Sequence, residues 1–113
     1  MSRSGKCLCG DVNFTYENDP GMFLICHCTD CQKSTGSPLA SIIIVPESEF
    51  KVNGSTGSYE CEAKVTRSFC KNCGSQIFSR IESAPGVVAI KTGVLDEQLS
   101  LIHISEPTRQ FRI

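Results

Sequence analysis

The chain has 113 residues, of which 40% are hydrophobic and 20% are charged, with eight cysteines and a formal net charge of −1. This length predicts one small domain, and the scattered Lys and Arg argue against a nucleic-acid partner. The sequence has no apolar run long enough to span a membrane, and its polar N-terminus does not resemble a signal peptide. Eight cysteines therefore indicate a cytoplasmic metal protein rather than a secreted disulfide scaffold.

The first half of the chain predicts short strands around one helical turn. Residues 12–16 alternate apolar and polar side chains, as a half-buried strand does, and the turn sequence Asn-Asp-Pro-Gly follows at 18–21. An apolar run at 22–25 predicts a second strand that leads into a group of cysteines. Residues 29–34 predict one helical turn that places Asp30 and Lys33 beside those cysteines, and the β-branched run 41–45 predicts a central strand.

The second half continues the pattern of strands. Residues 50–52 predict a strand before Asn53-Gly54, a dipeptide typical of hairpin turns. Residues 65–69, 76–80 and 87–90 predict three more strands. The sequence therefore predicts an all-β fold in which metal sites staple short strands together.

Residues 99–113 depart from this pattern. Residues 99–109 match the translation of a transposase adapter used to prepare DNA libraries. We therefore assign residues 1–98 to the domain and interpret residues 99–113 as a non-native tail that replaces the natural C-terminus. His103, which lies in this tail, is accordingly not a ligand candidate.

Seven cysteines fall into three clusters: Cys7-x-Cys9, Cys26-x-Cys28-x-x-Cys31 and Cys70-x-x-Cys73. Such spacings let neighbouring thiolates converge on one ion, and closed sites of four sulfurs usually hold zinc. The first and third clusters together supply four cysteines, which predicts a structural zinc between the N-terminal strand and the middle of the sheet. Gly10 and Gly74, which follow these pairs, tolerate the positive φ that turns backbone N–H groups toward sulfur. A redox dithiol would need a βαβ context that the sequence does not show.

The middle cluster supplies three cysteines, and zinc with three protein ligands is typical of catalytic sites. Three alternatives remain open: His27 completes a closed site, Cys61 folds back as a fourth ligand, or the cluster holds no metal. On an extended strand His27 would point away from its neighbours. Lone cysteines such as Cys61 are more often small buried or surface residues. We therefore favour the open site of three cysteines.

Four segments resemble the glutathione-dependent formaldehyde-activating enzyme family, which shares its domain with centromere protein V. The segments are GKCLCGDV at 5–12, CHCTDCQKSTG at 26–36, FCKNCGS at 69–75 and KTGVLD at 91–96. The resemblance covers residues 5–98 and implies a β-tent of small antiparallel sheets. The chain departs from the family pattern after the last segment.

The resemblance implies two zinc ions per chain. The ligands map onto Cys7, Cys9, Cys70 and Cys73 for a structural zinc, and onto Cys26, Cys28 and Cys31 for a catalytic zinc. The implied activity is that of a carbon–sulfur lyase acting on glutathione–aldehyde adducts (hemithioacetals) such as S-hydroxymethylglutathione. The implied partner is a small-molecule thiol or aldehyde adduct, and neither nucleic acid nor membrane is expected. The alternative is a non-catalytic zinc-binding module or adaptor of the same fold.

Overall fold

The computed structural model describes residues 2–17, 22–62 and 64–96. The turn predicted at 18–21 and the tail at 99–113 lie outside these residues. The strands and helices are β1 (Ser2–Lys6), β2 (Asn13–Glu17), β3 (Met22–Cys26), α1 (Thr29–Thr35), β4 (Ala40–Pro46), β5 (Phe50–Asn53), β6 (Thr56–Glu60), β7 (Val65–Cys70), β8 (Gln76–Ile81) and β9 (Val87–Lys91), with 3-10 turns at Glu47–Glu49 and Thr92–Val94. In this part of the chain, no helix has the length and apolar character needed to cross a bilayer.

The strands form two antiparallel sheets. One has the order β1-β2-β5 and the other the order β3-β4-β9-β8-β7-β6. The predicted all-β fold of small antiparallel sheets is confirmed, as is the short helix. Strands β1 and β6 were not predicted, because their sequences SRSGK and TGSYE show no run of alternating apolar residues. Both are edge strands, which need hydrogen bonds from one neighbour only.

The core contains side chains from both sheets. Strand β2 buries Phe14 and Tyr16 and exposes Asn13, Thr15 and Glu17, as its alternating sequence predicts. The Phe14 ring lies 5.7 Å from the Phe50 ring, which in turn meets the Phe78 ring of the larger sheet edge-on at 4.9 Å. Each such aromatic pair adds about 0.5–1.5 kcal/mol beyond the area it buries. Aromatic packing therefore joins the small sheet to the large one.

The prediction that Asn53-Gly54 closes a hairpin is wrong. Strand β5 pairs with β2, whereas β6 pairs with β7 in the other sheet, so these two residues carry the chain between sheets. Gly54 has a φ of +114°, and a Cβ atom there would lie 2.8 Å from the Cα of Val12. The glycine is required by its backbone conformation and by this close approach, which the dipeptide alone does not reveal.

The substitution Gly54→Ala should destabilise the protein more than Gly86→Ala does. Both glycines have positive φ, so alanine is strained at each by about 1–2 kcal/mol. A Cβ at Gly86 meets nothing within 4 Å, whereas at Gly54 it meets backbone, and such overpacking adds about 1–3 kcal/mol. Urea unfolding of Gly54→Ala and Gly86→Ala measures the difference. Equal losses would show that the approach of Val12 imposes no constraint.

Candidate metal centres

The first and third cysteine clusters meet where β1 and β7 end. Cys7 directly follows β1 in the small sheet, and Cys70 is the last residue of β7 in the large sheet. The sulfur atoms of Cys7, Cys9, Cys70 and Cys73 all lie within 4.8 Å of one another. Cys9 Sγ is 3.6 Å from Cys7 Sγ and 3.8 Å from Cys70 Sγ. These four donors could hold one metal ion, which would bind the two sheets to each other.

Backbone N–H groups surround this four-sulfur group. The N–H of Val12 donates to Cys7 Sγ at 3.3 Å, and those of Asn72 and Cys73 donate to Cys70 Sγ at 3.3 and 3.4 Å. Gly10 and Gly74 have φ values of +84° and +81°, as predicted, and a Cβ at either would meet nothing within 4 Å. Their role is therefore conformational. Donors aimed at sulfur stabilise thiolates, so the donor set fits a closed metal site.

The pKa values of Cys73 and Cys70 in this group are shifted in opposite directions. The hydroxyl and N–H of Ser75 donate to Cys73 and lower the pKa of its thiol to about 5. The N–H of Cys73 also acts to lower the pKa of Cys70, but burial and the neighbouring sulfurs outweigh it and raise that pKa to about 11. A bound cation needs all four sulfurs as thiolates, so metal binding must release protons from this group.

The middle cluster forms a second group of sulfurs at the start of α1. Cys26 ends β3, Cys28 caps the helix, and Cys31 lies in its first turn. The three sulfurs lie within 4.8 Å of one another, with Cys26 Sγ and Cys28 Sγ 3.4 Å apart. Cys31 is buried, Cys26 is half-buried and Cys28 is exposed. These three donors could also hold a metal ion, at a position that small molecules can approach.

Among the described residues, neither His27 nor Cys61 joins this three-sulfur group. His27 is exposed on the chain between two ligand candidates. Cys61 lies with its Sγ 3.9 Å from Asp30 Oδ2. The two alternatives in which either residue completes the site therefore find no support in the structure.

A backbone N–H of α1 and burial shift the pKa values of Cys28 and Cys31 in opposite directions. The N–H of Cys31 donates to Cys28 Sγ at 3.4 Å and is the main cause that lowers the pKa of Cys28. Burial, together with the sulfurs of Cys26 and Cys28, raises the pKa of Cys31 to about 12. Cys28 thus ionises at a lower pH than the buried Cys31, whose proton a bound cation would displace.

Two clefts border α1, the helix that carries Cys31. The larger cleft, of about 770 Å³, is lined by Asp30, Lys33, Ser34, Tyr59, Cys61, Glu62 and Arg67. The smaller cleft, of about 280 Å³, is lined by Ser34, Thr35, Gly74, Gln76, Lys91, Gly93 and Val94. Ser34 lines both, and its carbonyl accepts a hydrogen bond from Gln76 Nε2. Sequence reasoning placed Asp30 and Lys33 here but missed the residues from β7, β8 and β9, which only the strand order brings to α1.

Known proteins that are similar to this chain identify its family. The family model described as glutathione-dependent formaldehyde-activating enzyme matches residues 2–111. The chain belongs to this family. A Rhodobacter sphaeroides protein of known crystal structure has the same fold as this family member, with a TM-score of 0.70 and 21% identity over 83% of this chain and 88% of that one.

Two curated relatives are fungal proteins. The chain is 27% identical over 74 residues to an uncharacterized lyase of Schizosaccharomyces pombe, across 66% of this chain and 54% of that one. It is 32% identical over 82 residues to a protein of Podospora anserina that is provisionally named a glutathione-dependent formaldehyde-activating enzyme, across 68% of this chain and 38% of that one. The chain thus spans about half or less of the length of these curated relatives.

The substitution Cys70→Ser should remove one metal ion per chain and unfold or strongly destabilise the domain. The binding energy of a structural metal is folding energy, so we expect a loss of about 4 kcal/mol or more. Cys61→Ser is the matched control, because Cys61 belongs to neither sulfur group. Metal analysis and urea unfolding of the reduced proteins check both effects. Unchanged metal content in Cys70→Ser would contradict the assignment.

Proposed function

We propose that this protein is a zinc-dependent enzyme of the carbon–sulfur lyase type that makes and cleaves adducts of a thiol with an aldehyde, such as S-hydroxymethylglutathione. One observation carries the proposal. Cys26, Cys28 and Cys31 bring three sulfurs within 4.8 Å of one another at a position partly open to solvent, and Asp30, which precedes Cys31, lines the larger cleft. Membership of the family and the names of the two fungal relatives support the same chemistry.

Zinc suits both groups because thiolates are soft donors and four-coordinate sulfur sites favour this ion. In the proposal, Cys7, Cys9, Cys70 and Cys73 hold a structural zinc, and Cys26, Cys28 and Cys31 hold a catalytic one. Zinc at the second group would supply Lewis-acid polarisation to a small molecule in its fourth position. The two sites thus differ in the number of donors that the chain provides.

The reaction needs no oxidant or reductant. In the forward direction the thiol sulfur bonds to the aldehyde carbon, the electron pair of the C=O bond moves onto oxygen, and the thiol proton ends there as a hydroxyl. In the reverse direction the carbon–sulfur bond breaks and the proton returns to sulfur. The chain's contribution is to hold both reactants beside the exposed Cys28 and half-buried Cys26, which replaces a slow bimolecular encounter by a positioned one.

Removing Cys28 should abolish the activity. We expect Cys28→Ala to lower the rate of exchange between glutathione, formaldehyde and their adduct by about a hundredfold or more, because it deletes a metal ligand. Exchange spectroscopy by NMR measures this rate directly, and Cys61→Ala provides a control, because Cys61 lines the larger cleft but belongs to neither sulfur group. Equal rates for the parent and Cys28→Ala would eliminate catalysis at the three-sulfur group.

Cobalt substitution separates the enzyme from a non-catalytic zinc module. Cobalt in a closed site of four sulfurs and cobalt in a site of three sulfurs differ in visible absorption. Only the three-sulfur site should change its spectrum when glutathione is added, because only that site leaves a position for an external thiol. A spectrum that glutathione does not alter would favour the binding module.

A further inference from the structure

Lys91 stands out among the groups around the three-sulfur site. It is the only charged residue among the described residues that line the smaller cleft. Its side chain is half-buried, and no salt bridge joins it to a described acidic group, in contrast to Arg80, whose Nε lies 3.1 Å from Glu47 Oε2. A cation that has lost part of its hydration without gaining a partner costs free energy. An anion bound in the cleft would offset this free-energy cost by pairing with the Lys91 ammonium group.

The strand register brings a second cation close to Lys91. Ala89 pairs with Ser79, Ser79 pairs with Arg67, and Lys91 lies two residues beyond Ala89 on the same face of the sheet. Burial and then the charge of Arg67 lower the pKa of Lys91, whereas the sulfurs of Cys31 and Cys26 raise it. Lys91 is thus within electrostatic range of both Arg67 and the three-sulfur group.

The two clefts differ in the charges that line them. Among the described residues, Lys91 is the one charged side chain that lines the smaller cleft, whereas Arg67 lines the larger cleft together with Lys33, Asp30 and Glu62. Asp30 and Glu62 face the larger cleft rather than the smaller one, and Asp30 is turned toward Cys61. An anionic group that enters the smaller cleft therefore meets Lys91 and no acidic side chain among the described residues that line it.

Gln76 offers a second recognition point in the smaller cleft. Its Nε2 donates to the carbonyl of Ser34, whereas its Oε1 is buried and has no hydrogen-bond partner among the described residues. A buried acceptor without a donor costs free energy until a donor arrives. A ligand that carries both a carboxylate and an N–H group would satisfy Lys91 and Gln76 together.

We propose that Lys91 binds a carboxylate of the thiol substrate in the smaller cleft, so that the protein selects thiols with a carboxylate over neutral thiols. This inference rests on the proposed function, because it places the thiol of the same molecule at Cys26, Cys28 and Cys31. The neighbouring Arg67 strengthens the positive potential, and Gln76 Oε1 accepts an N–H from the substrate. Lys91 is therefore a specificity-determining residue.

The test compares glutathione with its dimethyl ester, which has the same thiol but no carboxylates. Isothermal titration calorimetry of the full-length, zinc-loaded protein should show that the parent binds the acid about tenfold more tightly, the factor expected for one hydrogen bond between charged groups. Lys91→Met, which keeps the apolar stem, should lose this preference. Lys51→Met should retain it, because Lys51 is exposed in the other sheet.

Two further measurements keep the outcomes distinct. If Lys91→Met does not fold, the parent alone decides: its preference for the acid must shrink as NaCl is added, and equal binding of acid and ester overturns the proposal. Retained preference in a folded Lys91→Met also overturns it. If neither thiol undergoes adduct exchange but the binding preference depends on Lys91, the result supports the anion site and contradicts the proposed lyase activity. If exchange is equally fast for acid and ester, the lyase activity stands and the anion site fails.

Discussion

The convergence of four sulfurs from residues 7–9 and 70–73 is the constraint on which the rest of the structure depends. The small sheet and the large sheet share a modest core, and this group ties the end of β1 to the end of β7. Gln76, three residues after Cys73, then donates to the carbonyl of Ser34 in α1. The four-sulfur group therefore also influences where α1, and with it the three-sulfur group, lies relative to the large sheet.

The two sulfur groups show how one residue type supports two kinds of site. In the four-sulfur group Cys7 and Cys70 are buried and receive several backbone N–H donors, whereas Cys73 is half-buried and Cys9 is exposed. The group at α1 has a single buried member, Cys31, and its most exposed member, Cys28, faces solvent. The two groups differ in the number of donors: a closed set of four favours permanence, whereas a set of three leaves a position for exchange with small molecules.

Local features of this chain could be predicted from sequence, and non-local ones could not. The three cysteine knuckles, helix α1 and the positive φ of Gly10 and Gly74 follow from residues a few positions apart. Strands with apolar or alternating sequences were predictable for the same reason. The edge strands and the path through Asn53-Gly54 were not, because pairing partners rather than local sequence determine them. Arg67 and Lys91 meet α1 only through the order β9-β8-β7, which no spacing encodes.

The sequence separation of the ligands also sets an order of assembly. Cys26, Cys28 and Cys31 lie within six residues, so their site closes a very short loop and can form on the ribosome once α1 has emerged. The other site joins residues more than sixty positions apart and must wait until β7 has been synthesised. During that interval Cys7 and Cys9 are thiols without their partners. The nascent chain therefore passes through a stage in which its N-terminal pair is open to oxidation, before Cys70 and Cys73 have been synthesised.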